Sequence, residues 1–251
     1  MPTNAARDGA MPNSELSGLR ALVTGGTAGI GGACARLLSQ AGASVVIAGR
    51  DQRRGHAAAT ELGARYIRAD LADLDSVHAL VRQAGEVDVL VNNAASFPSA
   101  PTIGQDVAGF ARTFDTNVRG TYFLTAGLAQ GMLIRGRGAI VNVTSMVASR
   151  GVAGASAYSA SKAAVESLTR TWAVEFAASG VRVNSVAPGP TDTAGVVAEW
   201  GDANDELGRA LPLGRTARAD EIAEAVLFLA SPRSSFITGI TLHVDGGGTA
   251  I

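Results

Sequence analysis

Short apolar runs that alternate with helix-forming stretches constrain the fold of this chain more than any other feature. The runs are rich in Val, Ile, Leu and Ala, and they lack the polar alternation of a strand with one wet face. Strands that are buried on both faces and separated by helices indicate a parallel sheet with helices on both sides. The sequence therefore predicts an α/β fold, a doubly wound parallel sheet of about seven strands.

The alternation also predicts where each element lies. The predicted strands are residues 19–24, 44–48, 65–69, 87–91, 139–144, 181–186 and 240–244. The predicted helices are residues 32–41, 51–62, 73–84, 106–133, 157–179 and 219–230. Residues 1–16 are expected to form a flexible tail. Residues 17–251 are expected to form one domain, because no linker-like stretch or internal repeat divides them.

Composition excludes several classes of function. A net charge of −1 gives no electrostatic reason to expect nucleic acid or an anionic membrane as a partner. No apolar run is long enough to span a membrane, and the N-terminal residues lack the apolar core of a secretory signal. The three histidines are scattered without metal-ligand spacing, so no metal is expected. The only cysteine, Cys34, permits no intrachain disulfide, and a reducing cytoplasm is the expected location.

A glycine-rich turn, residues 25–31 (GGTAGIG), lies between the first predicted strand and the first predicted helix. Glycines let the backbone approach a phosphate closely, and a helix N-terminus supplies free N–H donors and positive potential. By itself the pattern also fits a plain tight turn. Because further strand–helix units follow it, we interpret it as the phosphate-binding turn of a Rossmann-like dinucleotide fold.

Tyr158 and Lys162 lie four residues apart on a predicted helix and project from the same face, about one turn apart. An ammonium close to a phenol favours the phenolate and lowers its pKa from the usual value of about 10. The pair is therefore predicted to donate and accept a proton near neutral pH. The alternative for this spacing alone is a half-buried ring beside a solvated amine.

Six motifs occur in one order along the chain. They are Thr24 to Gly31, Asn92-Asn-Ala-Ala95, Asn117, Ser145, Tyr158-x-x-x-Lys162 and Pro188-Gly-x-x-x-Thr193. In these motifs the chain resembles the short-chain dehydrogenase/reductase family, in its compact single-domain branch, from about Leu16 to the C-terminus. One departure is Ala95, where the family usually has glycine.

The resemblance implies four catalytic residues. Tyr158 would be the general acid in carbonyl reduction and the base in alcohol oxidation. Lys162 would lower the pKa of Tyr158 and hold the nicotinamide ribose. Ser145 would donate to the substrate oxygen, although a strand-end serine without a role is the other reading. Asn117 would hold a water that links Lys162 to solvent, and its other reading is an exposed helix residue.

The resemblance also implies the residues that hold the cofactor. Those at the phosphates, ribose, adenine and nicotinamide would be Gly25, Thr27, Ala28, Gly29, Ile30, Gly31, Arg50, Asp70, Leu71, Asn93, Ala94, Tyr158, Lys162, Pro188, Gly189, Thr191 and Thr193. The expected cofactor is a nicotinamide dinucleotide.

The end of the second predicted strand bears on the choice between NADP and NAD. A carboxylate there would bind the ribose 2′-hydroxyl and repel a 2′-phosphate, but this chain has Gly49 and Arg50. A guanidinium is suited to bind a phosphate, so we expect NADP(H). Asp51 beside it favours NAD(H) as the alternative, and Arg50 also fits a solvated helix start. Arg53 and Arg54 would add positive potential.

The expected substrate is a small or medium ketone, hydroxy compound or polyol, covered by a lid at residues 191–213. Trp200 in this segment fits a substrate wall and a plain packing residue equally well. A 3-oxoacyl-carrier-protein reductase is an alternative that requires a basic docking patch near the pocket. Arg135 and Arg137 are candidates for that patch, although their neighbourhood lacks other basic residues typical of that subgroup.

Two other functions are compatible with the fold. A redox-sensing protein that binds NADP(H) without catalysis would be expected to lose Tyr158 or Lys162, and both are present. A sugar-nucleotide epimerase or dehydratase usually has a longer chain with an extra C-terminal substrate region. The two long helices and the last strand of the resembling family pair across twofold axes, so a homotetramer is expected.

Overall fold

The computed structural model of the protein describes residues 15–251. The predicted tail, residues 1–16, lies outside the described residues except for Glu15 and Leu16. Leu16 is fully buried, and its N–H donates to the carbonyl of Ala41 at 2.9 Å. Glu15 forms an ion pair with Arg233 at 3.0 Å. These two residues therefore pack against the domain.

A parallel sheet of seven strands forms the centre of the molecule. The strands of the chain are β1 (Arg20–Thr24), β2 (Ser44–Gly49), β3 (Arg65–Arg68), β4 (Val89–Asn92), β5 (Gly138–Val143), β6 (Val181–Pro188), β7 (Thr191–Asp192), β8 (Ala217–Arg218) and β9 (Thr241–Val244). The main sheet has the order β3-β2-β1-β4-β5-β6-β9, and all neighbours are parallel. The Rossmann-like prediction is confirmed. The strand order reverses between β1 and β4, the position where open α/β sheets bind ligands.

Helices cover both faces of the sheet. They are α1 (Gly29–Gln40), α2 (Gln52–Leu62), α3 (Leu74–Ala84), α4 (Val107–Phe114), α5 (Thr121–Arg135), α6 (Ser156–Phe176), α7 (Ala194–Trp200), α8 (Asp202–Arg209) and α9 (Ala219–Ala230). Helices α1, α2 and α9 bury residues such as Leu38 and Ile222 on one face. Helices α3, α5 and α6 bury Leu80, Met132 and Trp172 on the other. Among the described residues, no helix has the length and apolar character needed to cross a membrane.

The long helix predicted over residues 106–133 is interrupted by a π-helical turn, Asp115–Gly120. At its end, Gly120 packs against the segment after β3 so closely that a Cβ atom would overlap the carbonyl oxygen of Leu71. Periodicity alone does not predict a π-helical turn. Such turns are frequently found at functional sites, and this one contains Asn117.

The small sheet formed by β7 and β8 was not predicted. It pairs Thr191 with Ala217 and Asp192 with Arg218, on either side of α7 and α8. The segment that was predicted as a lid with helical pieces therefore contains two short helices, and its two ends are joined by backbone pairing. We use "lid" below for α7 and α8.

Candidate active site

A cleft opens at the carboxyl ends of the central strands, between the sheet and the lid. Its lining includes every predicted catalytic and cofactor residue except Asn117. Val196 and Leu207 of the predicted lid line it too, and so do residues that were not singled out, among them Ala48, Ser96, Phe97, Thr116, Met146, Val147, Val152, Ala155, Pro190, Gly195 and Asn204. Among residues 15–251, no group of three His, Cys, Asp or Glu side chains is placed to hold a metal ion.

The glycine turn presents backbone to the cleft. Gly25 has φ +64°, and a Cβ at Gly31 would overlap the carbonyl oxygen of Gly25. Helix α1 begins at Gly29, and its N-cap residue Ala28 has no side-chain capping bond. No acidic side chain lies in its first turn. Its first N–H groups are therefore available to an anionic group, which fits the pyrophosphate of a dinucleotide.

Asn93 holds the glycine turn against the end of β4. Its Nδ2 donates to the carbonyls of Thr24 at 2.9 Å and Gly25 at 3.3 Å, and its own N–H donates to Thr24 Oγ1 at 3.0 Å. Thr24 Oγ1 also accepts the N–H of Ala94 at 3.1 Å. The Asn93 amide thus orients the turn, while the residue itself lies on the cleft wall.

The opposite side of the turn lies close to the base of the lid. Thr193 caps α7 by accepting the N–H of Val196 at 3.3 Å. A Cβ at Gly29 would lie 3.3 Å from the Thr193 side chain. Thr191 Oγ1 donates to the carbonyl of Gly189 at 2.9 Å. The Pro188-to-Thr193 motif therefore connects the end of β6, the glycine turn and the lid.

Tyr158, Ser145 and Lys162 meet at the centre of the cleft. The Ser145 and Tyr158 hydroxyls both line the cleft, and Ser145 lies close enough to lower the pKa of Tyr158. Lys162 Nζ lies 5.6 Å from the centre of the Tyr158 ring and donates to the carbonyl of Val143 at 2.8 Å. Its side chain is 4% exposed. The predicted catalytic residues other than Asn117 are thus brought together where β5 ends and α6 begins.

The prediction that Lys162 brings the pKa of Tyr158 towards neutrality is wrong for the chain by itself. Burial raises the pKa of Tyr158 to about 12, and the nearby Ser145 hydroxyl only partly opposes this effect. Burial also lowers the pKa of Lys162 to about 8. The low polarity of the site outweighs the attraction between ammonium and phenolate. At neutral pH Tyr158 therefore carries its proton, as a proton donor requires.

Asn117 lies behind the cleft wall and is 1% exposed, so the reading as an exposed helix residue is wrong. Its Oδ1 accepts the N–H of Ser96 at 2.7 Å, and its Nδ2 donates to Ser96 O at 2.8 Å and Ser161 Oγ at 2.9 Å. Ser161 Oγ in turn donates to the carbonyl of Tyr158 at 2.7 Å. Protein groups engage both ends of the amide, and the water that Asn117 was expected to hold stays a prediction.

Two arginines lie at the end of β2. Arg50 and Arg54 line the cleft, and Arg53 does not. The carboxylate of Asp51 accepts the N–H of Arg54 at 2.9 Å, which caps α2 and lowers the pKa of Asp51. The acidic neighbour that favoured NAD is therefore engaged by the helix start. Tyr66, which sequence reasoning missed, donates from its hydroxyl to the carbonyl of Gly49 at 2.8 Å and holds this strand end.

We use "substrate half" for the cleft residues from the loop after β4, the segment after β5 and the lid, most of which are apolar. Its side chains are those of Phe97, Met146, Val147, Val152, Val196, Trp200, Asn204 and Leu207. The Phe97 ring lies 6.2 Å from the Tyr158 ring at 61°. Glu199 of the lid accepts the N–H of Ser99 at 3.1 Å, so the lid is also held to the loop that carries Phe97.

The phosphate-binding turn and the cluster of Tyr158, Lys162 and Ser145 define a nicotinamide-dependent oxidoreductase. Comparisons with known proteins agree. A family model described as "Enoyl-(Acyl carrier protein) reductase" matches residues 25–249. The chain belongs to the short-chain dehydrogenase/reductase family, and it is an NAD(P)-dependent enzyme for alcohol and carbonyl substrates.

Three similar proteins represent its relatives. A cis-4-hydroxycyclohexanecarboxylate dehydrogenase of Sinomonas cyclohexanicum is 44% identical over 240 residues, which cover 92% of this chain and 96% of the relative. The crystal structure of a putative betaketoacyl-ACP reductase is 61% identical with a TM-score of 0.89, covering 94% of this chain and 100% of that one. A blue fluorescent protein from a metagenomic library, in complex with NADPH, is 38% identical with a TM-score of 0.88, over 94% and 100%.

Proposed function

We propose that the protein transfers a hydride between NADP(H) and a compact ketone or secondary alcohol, with Tyr158 as the proton donor and acceptor. The observation that carries the proposal is that Ser145, Tyr158 and Lys162 line one cleft together with the mostly apolar substrate half, with Lys162 Nζ 5.6 Å from the centre of the Tyr158 ring. The nicotinamide supplies or takes up the hydride. The protein supplies placement, exclusion of water and movement of the proton.

Each catalytic group has a part that follows from its surroundings. In carbonyl reduction, the Tyr158 hydroxyl donates its proton to the substrate oxygen as negative charge develops there. The Ser145 hydroxyl donates a hydrogen bond to the same oxygen and stabilises that charge. The buried ammonium of Lys162 favours the phenolate that remains after proton transfer, because opposite charges attract. No other cation among the described residues lines this part of the cleft.

The choice of NADP(H) over NAD(H) rests on the end of β2. Arg50 and Arg54 line the cleft where a ribose 2′-phosphate of the bound cofactor would lie, and Asp51 is engaged in capping α2. The relative that was solved in complex with NADPH supports the same choice. A guanidinium binds phosphate through two parallel hydrogen bonds, which a 2′-hydroxyl does not match.

For the substrate, we favour an alicyclic or short aliphatic compound. The relative that acts on cis-4-hydroxycyclohexanecarboxylate, by its name, and the apolar substrate half both support this class. The alternative is a 3-oxoacyl-carrier-protein reductase, which the name of one solved relative favours. The predicted docking residues do not support it, because Arg135 and Arg137 both contact Asp88 at 3.4 Å and 3.5 Å, at the amino ends of β4 and β5. That edge of the sheet is opposite the cleft.

A homotetramer in the cytoplasm completes the proposal. Large apolar side chains are exposed on α4, α5 and α6 and on the C-terminal segment; they include Val107, Phe110, Tyr122, Phe123, Val174, Phe236 and Ile251. Such surfaces mark interfaces between protein chains. Light scattering on the purified protein tests the tetramer.

Cys34, the only cysteine of the sequence, is buried, and burial raises the pKa of its thiol to about 12, so the thiol is unreactive.

Initial rates of NADPH and NADH oxidation over a panel of cyclic ketones, linear ketones, keto sugars and 3-oxoacyl thioesters test the function. We expect turnover of cyclic or short ketones, faster with NADPH than with NADH. Tyr158→Phe is the control, since it removes the transferable proton and keeps the ring. Turnover of thioesters alone would favour the carrier-protein reductase. Tight NADPH binding without turnover of any compound would favour the catalytically silent sensor.

A further inference from the structure

A polar side chain of the lid lies unpartnered in the mostly apolar substrate half of the cleft. Asn204, in the first turn of α8, is 4% exposed and lines the cleft. Its Nδ2 is buried and has no hydrogen-bond partner among the described residues. A buried amide donor without an acceptor is costly, and very few native side chains leave one unpaired without a functional reason.

We propose that the Asn204 amide, whose Nδ2 is covered by protein atoms in this structure, rotates to donate a hydrogen bond to a second, neutral oxygen of the substrate, apart from the oxygen that reacts at Tyr158. This inference rests on the proposed function and names the substrate class more narrowly. The enzyme then prefers a compact ketone that also bears a hydroxyl or carbonyl group over the same ketone without it. Asn204 is in this view a specificity-determining residue rather than a catalytic one.

The surrounding side chains indicate why one donor suffices to determine specificity. The other side chains of the substrate half include Phe97, Met146, Val152, Trp200 and Leu207. Of these five, only Trp200 carries a hydrogen-bond donor, its indole N–H. A substrate oxygen in this region therefore has few other protein partners. An oxygen without a partner in apolar surroundings weakens binding, so its recognition depends on Asn204.

Charge in the cleft indicates that the second oxygen is neutral. Of the described residues that line the cleft, the cationic ones are Arg50 and Arg54 beside the end of β2 and Lys162 beside Tyr158. None of these lies in the substrate half. A carboxylate buried without a cation is strongly disfavoured. Exposed acidic residues of α8, Asp202 and Asp205, add negative potential at the lid. We therefore expect the chain to differ from the relative whose named substrate carries a carboxylate.

Three ketones of nearly equal shape test the contact. Initial rates with NADPH give kcat/KM for 4-hydroxycyclohexanone, 4-methylcyclohexanone and 4-oxocyclohexanecarboxylate. For the wild-type protein we expect the hydroxyl compound to exceed the methyl compound by about fivefold or more, as the loss of one buried hydrogen bond implies. The carboxylate should be the poorest of the three.

The variant Asn204→Leu keeps the size of the side chain and removes the donor. We expect its preference for hydroxyl over methyl to fall to about one, because the lost hydrogen bond is what distinguishes the two ketones. Asp205→Asn, on the exposed side of the same helix, is the matched control and should keep the wild-type preference. An unchanged preference in Asn204→Leu, or equal loss with both ketones, would overturn the proposal. If 4-oxocyclohexanecarboxylate is the best substrate of the wild-type protein, the claim that the second oxygen is neutral is overturned.

Absence of turnover with every ketone would count against the proposed function and not against the Asn204 contact. The contact is then judged by calorimetry on the NADPH complex, with the hydroxyl and methyl ketones as ligands. Tighter binding of the hydroxyl ketone that Asn204→Leu abolishes supports the contact. Equal binding of the two ketones by the wild-type complex overturns it.

Discussion

Lys162 Nζ donates a hydrogen bond to the carbonyl of Val143 at 2.8 Å while it lies 5.6 Å from the centre of the Tyr158 ring. The same ammonium is thus held by the end of β5 and placed beside the phenol of α6. Lys162 is buried and Tyr158 is half-buried at the cleft, and the loss of contact with water moves the pKa of each towards its neutral form. The geometry predicted from the spacing of the two residues is present, but the electrostatic consequence differs from the expectation.

Lys162 is the only lysine of the sequence, so its pKa is directly measurable. Protein labelled in lysine gives a single side-chain NMR signal. We expect its titration midpoint at about pH 8, because burial lowers the pKa of Lys162 to about 8. An exposed lysine titrates near about 10.4. The Tyr158→Phe variant is the control, since it removes the neighbouring hydroxyl and leaves the ammonium buried. A midpoint above about 10 in the wild-type protein would show that water reaches Lys162 freely.

The same pKa shift predicts how stability changes with pH. Below about pH 8, Lys162 is charged in the folded and unfolded chains, and the folded state bears the full cost of burying the charge. Between about pH 8 and pH 10.5 the folded chain has lost the proton and the unfolded chain has not, so this cost is relieved as pH rises.

The variant Lys162→Met, which removes the charge, isolates this effect. Its free energy of unfolding relative to wild type should be higher at pH 7 than at pH 10, by about 2–3 kcal/mol. Urea unfolding at the two pH values measures the difference. Tyr158 has a pKa of about 10 in the unfolded chain and about 12 when folded, so it lowers the stability of both proteins as pH approaches 10, and this effect cancels when the two are compared. A difference that is the same at both pH values would contradict the buried-charge interpretation.

Cofactor preference is expected to depend on the position of an arginine and not on charge alone. Arg50→Asp places a carboxylate in the cleft and should lower the ratio of kcat/KM for NADPH to that for NADH by about tenfold or more, since it loses a phosphate contact and adds repulsion. Arg53→Asp makes the same change of charge one turn away, outside the cleft lining. It should leave the ratio within about threefold of wild type, because exposed charges at a distance are screened.

Equal effects of the two substitutions on the NADPH-to-NADH ratio would mean that binding of the 2′-phosphate depends on the overall positive charge at the start of α2 and not on a contact with Arg50. A loss of both cofactors together in Arg50→Asp would instead place this residue at the adenosine or at the helix start. Either result would remove the main argument for NADP(H) over NAD(H).

The sequence predicted the sheet and most of the site because both depend on local patterns. Apolar runs specify strands that are buried on both faces, and the predicted helix at residues 219–230 agrees with α9. Tyr158 and Lys162 converge because helical spacing alone brings them to one face. Motifs at the ends of consecutive parallel strands necessarily meet at one edge of the sheet, which explains the position of Asn93 and Ser145.

The features that were missed, namely the surroundings of Asn117, the position of Asn204 and the raised pKa of Tyr158, depend on contacts between distant segments. Asn117 is turned towards Ser96 and Ser161 by the π-helical turn, which arises where Gly120 meets the Leu71 backbone. Asn204 carries no motif, and only the fold of the lid brings it to the cleft. The raised pKa of Tyr158 is a property of burial, which sequence spacing does not report.

Two glycines of the long helical region are expected to respond in opposite ways to an added methyl group. At Gly120 the Cβ would overlap the carbonyl of Leu71, which is backbone and does not move freely. Gly120→Ala should therefore lower the free energy of unfolding by about 1–3 kcal/mol, as overpacking does. At Gly131 the nearest atom is Arg135 Nη1 at 3.0 Å, the end of a flexible side chain. Gly131→Ala should raise stability by about 0.5–1 kcal/mol, because alanine favours the helix.

A binding measurement shows whether the contact between Gly120 and the Leu71 backbone positions the cofactor cleft or only stabilises the helix. Because Leu71 lines the cleft, displacement of its backbone in Gly120→Ala should raise the Kd of NADPH by about fivefold or more, the effect of losing roughly one buried contact. Gly131→Ala should bind NADPH as wild type does. Urea unfolding and fluorescence titration of both variants, at one protein concentration, give the two quantities. If Gly120→Ala loses stability but binds NADPH normally, the π-helical turn supports the fold without positioning the cofactor cleft.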